Sequence, residues 1–325
     1  MNKSIKILFN WFLGPLIFIV LSWSLYKQIM HQPDVDNRWQ QIKNSFYSPL
    51  LWLSCSLAIV NWGLEALKWQ RLLAPLENIS FFKAFKSVLA GCSITMLTPN
   101  RVGEYGGRIL FVSEPHRIDA IPLTILGSMG QLFITIFMGV IGLLYFKLFS
   151  NGLLLFQHLP TYTSSVLLWG SILLAIVLIL IYLEIGVLVR LLTEVRLFKK
   201  LVAHIVLLKS FSRKQLLRIL FLSFLRYSVF VLQFILLLQV MQVQISFIIC
   251  FWLLTVFYLL MAVAPTIGLT ELPIRVAASV VVLQLYSSNI VGIQAATFGI
   301  WIINLVVPAI IGSLFILGTK ILKEK

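Results

Sequence analysis

Charge is scarce in this chain, and negative charge is scarcest: 11% of its 325 residues are charged, with 11 Asp and Glu against 26 Lys and Arg. Soluble domains carry about 25% charged residues, so a soluble globular fold is excluded. Cysteine is nearly absent. Cys55, Cys92 and Cys250 lie far apart within apolar segments, which excludes a disulfide framework and metal-type spacing and makes them buried thiols. His31, His116, His158 and His204 are equally scattered, so neither a histidine-based metal site nor a histidine-based catalytic site is expected, and no metal or cofactor is assigned. There is no Walker motif and hence no nucleotide site of its own. No polar stretch is long enough for a soluble catalytic domain; the largest, Arg190 to Arg218, is interrupted by Leu201 to Leu208.

What is abundant is apolar sequence, at 60% of residues. Several runs reach about 20 residues, the length that crosses a bilayer core. The basic segment Met1 to Lys6 precedes an apolar run from Ile7 to Tyr26 that is too long for a signal-peptide core and lacks a small-residue cleavage site, so it reads as a retained first span. The net charge of +15 follows topology rather than a nucleic-acid footprint. With the N-terminus cytoplasmic, the inner segments hold Lys3, Lys6, Lys68, Arg71, Lys83, Lys86, Arg117, the run Arg190 to Arg218 and the tail from Lys320, while the outer ones hold only Lys27, Arg38, Lys43 and Lys147. This positive-inside bias places both termini in the cytoplasm of a multi-pass cell (inner) membrane protein, with a basic face toward anionic lipid.

Two stretches break the apolar pattern in the same way. Thr98-Pro99-Asn100-Arg101-Val102-Gly103-Glu104-Tyr105-Gly106-Gly107-Arg108 and Pro265-Thr266-Ile267-Gly268-Leu269-Thr270-Glu271-Leu272-Pro273-Ile274-Arg275 share the order proline, glycine, Glu-x-x-x-Arg, and their glutamates are 167 positions apart (271 − 104). Residues four apart lie on one helix face, and ionisable groups at membrane depth are costly unless paired or hydrated, which marks them as functional candidates. The plainer alternative is that each pair pins two helices together. Before the first motif, Lys86 to Pro99 offers only about 18 Å of helix, too little for a core of about 30 Å; the arm Val102 to Ser113 is equally short. A re-entrant hairpin follows. The second differs: Ile245 to Ala264 is long enough to span alone, but the arm after Glu271 is too short to return.

The expected fold is therefore an all-α polytopic membrane protein, one integral domain over 1–325, with about six full spans plus two re-entrant helical hairpins arranged as an inverted-topology repeat. The first repeat covers 47–147 and the inverted second 216–319, joined across a basic cytoplasmic connector, 190–215. Such repeats characterise transporters, whose broken helices meet near the midplane. Asn61, Glu65 and Lys68 form a polar stripe on the second span; Arg226 and Gln233 look into the bundle; the span 163–189 ends near Glu184, a snorkelling or capping group.

At Thr98-Pro99-x-Arg101-x-Gly103-Glu104-x-x-x-Arg108, at Pro265-x-x-Gly268-x-x-Glu271 and at Pro308-x-x-x-Gly312 the sequence resembles the transmembrane region of lysylphosphatidylglycerol synthases and its stand-alone, flippase-like relatives, over roughly 47–319. The resemblance implies movement of lipid between leaflets, with Arg101, Glu104, Arg108, Glu271 and Arg275 as substrate-binding candidates. Thr98, Pro99, Gly103, Gln131, Arg226, Pro265, Gly268 and Asn304 are supporting candidates. Where relatives often carry an arginine in the span after each hairpin, this chain has Gln131, and Trp301 with Asn304. The synthase domain is absent from the sequence. Arginine matches a phosphate with its planar fork, and Glu104 and Glu271 would hold the arginines between substrates. The expected function is translocation of anionic phospholipid or lipid-linked intermediates. The alternatives are an intramembrane lipid-modifying enzyme using Glu104 or Glu271 as general base, and a non-transporting lipid-binding partner of a synthase. Membrane lipids are the expected partners, beside a homo-oligomer or a partner synthase; nucleic acid is not.

Overall fold

A computed structural model describes residues 43–95, 98, 102–149, 161–194, 204–263 and 271–317, with Trp23 and Gln40. The expected first span from Ile7 to Tyr26, most of the loop after it, residues 150–160 and 195–203 and the tail beyond 317 lie outside the described residues. All elements among the described residues are helical. Four of them are long and apolar enough to cross a bilayer: Pro49–Leu73, Ala120–Phe149, Arg213–Val240 and the broken helix Ile290–Leu317. The chain is a multi-pass integral membrane protein.

Helix α1, Pro49–Leu73, starts with proline at its first turn, where the missing N–H costs nothing. Its polar stripe turns inward: Asn61, Glu65 and Lys68 are 0%, 4% and 1% exposed. Lys68 thus departs from its expected cytoplasmic place, because Glu65 one turn earlier supplies a counter-ion 2.8 Å away.

The first hairpin consists of α2, Phe81–Thr95, and α3, Gly103–Ile109. At 1.5 Å per residue the arms reach about 22 Å and about 10 Å, both short of a bilayer core. They pack against each other so closely that side chains are barred. A Cβ on Gly103 would lie 2.4 Å from the Ile94 carbonyl oxygen, and one on Gly107 would lie 2.4 Å from that of Ala90. The Ser87 hydroxyl, donating to the Arg108 carbonyl at 2.9 Å, closes the base of the hairpin.

Helix α4, Ala120–Phe149, is followed by α5, Thr161–Leu183, and α6, Ile185–Glu194. The expected span over 163–189 is not straight: it turns by 81° at Glu184. The apolar run ends there, and Arg190 on α6 is exposed. The Glu184 carbonyl accepts the amides of Val187 and Leu188 and restarts the helix, while its carboxylate pairs with Arg213. Helix α7, Arg213–Val240, opens with a capping box between Ser212 and Gln215.

Helix α8, Phe247–Val263, has 17 residues, about 26 Å of helix, at the lower limit of span length. It pairs with α9, Glu271–Leu283. The last segment is α10, Ile290–Trp301, a π-helical turn Ile302–Val306, and α11, Val307–Leu317.

The packing is crossed. Helix α1 lies on α7, the first arm α2 lies on α11, and α8 lies on α4. Each hairpin's first arm therefore packs on the closing span of the other half. Both crossed contacts are made by glycine, as small residues allow in membranes. A Cβ on Gly312 would lie 1.9 Å from the Leu89 carbonyl oxygen, and Cβ atoms on Gly139 and Gly142 would meet Leu259 and Thr255.

Candidate functional site

The stripe on α1 and the arginine of α3 converge on one carboxylate. Glu65 is 2.8 Å from the Lys68 ammonium, 2.7 Å from Arg108 Nη2 and 3.3 Å from Arg226 Nε. Arg108 also pairs with Glu104 one turn before it and stacks over the Trp69 ring at 5.4 Å. Arg226 packs over Trp62 at 5.2 Å and donates to Gln131 Oε1 at 3.3 Å. Taking charges out of water costs several kcal/mol per ion, and a removed partner leaves that cost unmatched. Each of these charged groups has an oppositely charged partner, and Glu65, Arg108 and Arg226 find theirs across helices.

The second pair, Glu271 Oε1 and Arg275 Nη2, is 2.9 Å apart. The first, Glu104 and Arg108, is wrapped more tightly: the Arg108 side chain is 2% exposed, against 15% for Arg275. The two pairs are alike in sequence and unlike in surroundings.

One cavity of about 550 Å³ joins the halves. Its wall carries Glu65, Lys68, Glu104, Gln131, Arg226 and Arg275, with Trp62, Thr95, Tyr105, Ser128, Thr135 and Tyr258 between them. The described ionisable groups on the wall or paired with it are four cations (Lys68, Arg108, Arg226 and Arg275) and three carboxylates (Glu65, Glu104 and Glu271), an excess of one positive charge. The rim is apolar. Ile125 and Leu132 on α4 line the same cavity and are 42% and 39% exposed, so a charged interior borders a surface facing lipid.

Of the expected substrate-binding residues, Glu104 and Arg275 stand on the wall. Arg108 is off it, clamped between Glu65 and Glu104, and Glu271 pairs with Arg275. Arg101 lies outside the described residues, as do Pro99, Pro265 and Gly268. Thr98 accepts the Gly103 amide at 2.7 Å and so starts α3; Gly103 and Gly107 hold the hairpin closed. Gly106 differs, with open space where a Cβ would be. Gln131 and Arg226 meet on the wall. Asn304, turned inward by the π-helical turn, accepts a hydrogen bond from Asn61 at 2.8 Å. Gln233 is buried but donates to the Ser54 carbonyl at 2.9 Å, away from the cavity. Cys55, Cys92 and Cys250 form no disulfide, and Cys92 and Cys250 are buried.

Residues 11–312 match the family described as lysylphosphatidylglycerol synthase TM region, a stretch that contains both hairpins and the whole cavity wall. The chain belongs to that family. Membership ties the protein to the biology of membrane lipids. No curated protein matches the sequence. For this member of the lysylphosphatidylglycerol synthase TM region family, sequence reasoning left Glu65, Lys68 and Tyr258 out of the site. The first two were legible as a helical stripe of charge in an apolar span. Tyr258 gave no signal, being one aromatic within the run Phe247 to Val263.

Proposed function

We propose that this protein translocates lipid between leaflets, carrying an anionic headgroup through the cavity while the acyl chains stay in hydrocarbon. The observation that carries this reading is the cavity itself, whose cationic interior opens beside the lipid-facing Ile125 and Leu132. A phospholipid has the same division: its headgroup needs a polar, hydrated path and its chains do not. A cavity near 550 Å³ is within the range of small-molecule sites, about 300–1,000 Å³, and holds a headgroup with its waters. The crossed packing of α2 on α11 and α8 on α4 supports an inverted repeat over 47–147 and 216–319, an architecture in which two halves rock about a shared site. We read both termini as cytoplasmic and the cell membrane as the location.

The test is reconstitution of the full chain into liposomes containing labelled phosphatidylglycerol, phosphatidylethanolamine or a polyprenyl phosphate. Protein-dependent exchange of the anionic lipids between leaflets is the expected result. Chemical conversion of a lipid would replace the reading with an enzymatic one, and neither exchange nor conversion would leave a lipid-binding partner.

A further inference from the structure

The cavity holds more cations than it can use for phosphate, and their partners sort them. Lys68 is 1% exposed and committed to Glu65, with the Gly127 carbonyl 3.4 Å away. Arg108 is off the wall, held by two carboxylates. Arg226 and Arg275 remain. Each guanidinium presents five N–H donors in a fixed fork. In Arg226, Nη1 is taken by Gln131, and Nε, although 3.3 Å from Glu65, makes no hydrogen bond among the described residues. In Arg275, Nη2 is taken by Glu271 and Nε is likewise without an acceptor.

A third donor joins them. The Tyr258 hydroxyl is buried and has no hydrogen-bond partner among the described residues, and it stands on the wall that carries both arginines. Its position is fixed by rings: Tyr258 packs edge-on against Tyr227 at 5.8 Å and Phe230 at 6.2 Å, and Arg226 lies over Phe230 at 5.5 Å. Arg226 comes from α7, Tyr258 from α8 and Arg275 from α9. Buried donors left without an acceptor cost free energy. Three of them on one cavity wall make a place where a bound acceptor recovers that cost. A tetrahedral oxyanion offers acceptor oxygens in several directions at once, and Arg favours it over a point-charge partner.

We propose that Arg226, Arg275 and Tyr258 form the phosphate subsite of this cavity, and that Arg108 is a positioning residue that fixes α3 and Glu104 without touching substrate. The subsite breaks the symmetry of the two Glu-x-x-x-Arg pairs: the second binds and the first braces. Assigning the phosphate to a lipid headgroup rests on the translocation reading; the subsite itself does not.

The test uses the full chain in nanodiscs of neutral lipid and measures binding of short-chain phosphatidylglycerol against short-chain diacylglycerol, with inorganic phosphate and glycerol 3-phosphate as competitors. Tyr258→Phe keeps the ring packing and removes one donor. It should weaken phosphatidylglycerol binding about tenfold, the scale of a hydrogen bond to a charged group, with diacylglycerol association and thermal midpoint unchanged. Arg226→Gln and the charge-balanced pair Arg275→Gln with Glu271→Gln should weaken it at least as much. Wild-type phosphatidylglycerol affinity in all three, with lipid exchange intact, would overturn the subsite and leave translocation standing. Binding of inorganic phosphate that depends on the same three residues, without preference for the phospholipid, would keep the subsite, assign it to a soluble phosphate and remove the lipid reading.

Discussion

Arg108 and Glu65 are 43 residues apart in the sequence and 2.7 Å apart in the structure. That contact ties the tip-side arm of the first hairpin to the first described span, and Glu104 and Trp69 complete the clamp. Removing the arginine strands Glu104 and takes one of three cations from Glu65. Arg108→Ala should lower stability by about 3–5 kcal/mol, the scale for breaking a buried ion pair. Arg108→Ala with Glu104→Gln should recover a part of it, because Glu65 keeps Lys68 and Arg226 while Glu104 has lost its cation. Thermal unfolding in detergent followed by tryptophan fluorescence measures both; equal midpoints for Arg108→Ala and wild type would contradict the clamp.

The hairpin glycines separate into two classes. Gly107→Ala places a Cβ against the Ala90 carbonyl and Gly103→Ala places one against that of Ile94, and backbone cannot yield as a side chain can. Each should cost about 1–3 kcal/mol, as overpacking does, and lower the yield of folded monomer by size exclusion. Gly106→Ala meets nothing within 4 Å and should be neutral or stabilising by up to about 1 kcal/mol through helix propensity.

A single hydrogen bond from the Asn61 amide to Asn304 Oδ1 joins α1 to the π-helical turn. Hydrogen bonds between membrane helices average about 0.6 kcal/mol and reach about 1.7. Asn61→Leu and Asn304→Leu should each destabilise on that scale, and the double variant should cost less than their sum. A double-mutant cycle in thermal unfolding reads the coupling, and strict additivity would show that the pair contributes nothing.

Glu77 lies in the connection after α1 and accepts from the Ser113 amide at 3.1 Å, from the Ser113 hydroxyl and from Lys83 at 3.3 Å. Partial burial pushes its carboxyl up, but these hydrogen bonds and the Lys83 charge outweigh burial and hold it below the ordinary value of 4.5. A carboxylate whose folded value is depressed stabilises the fold above its unfolded value and loses that contribution as pH falls through the folded one. Wild type should therefore lose a part of its stability below about pH 4.5 that Glu77→Gln never had. Thermal midpoints of the two from pH 7 to pH 3 should converge as the pH drops; parallel curves would exclude the link.

Orientation is open to labelling. Ser288 and Ser210 are both exposed, and with cytoplasmic termini they face opposite sides. In a background lacking Cys55, Cys92 and Cys250, an impermeant thiol reagent should label Ser288→Cys from outside intact cells and spare Ser210→Cys. The reverse pattern, or labelling of both, would rule out the proposed topology.

The sequence alone determined the class of this protein, an all-helical multi-pass membrane protein. Apolar runs of bilayer length, arms too short to cross and two Pro-Gly-Glu-Arg strings were legible because the membrane core imposes a fixed length and a high cost for charge. The stripe Asn61, Glu65 and Lys68 was legible for the same reason: three polar side chains at helical spacing in a span must face protein. The tertiary structure decided which charges meet. Glu65 joins Lys68, Arg108 and Arg226, a convergence set by how α1 packs on α7 and α2, and no local pattern encodes it. At the corresponding offset in the second half stands Leu232, so the first arginine is doubly clamped and the second keeps a face to the cavity. The bend at Glu184 and the burial of Lys68 were likewise decided by partners distant in sequence or turned inward by packing, because a charge at membrane depth goes where its counter-ion is.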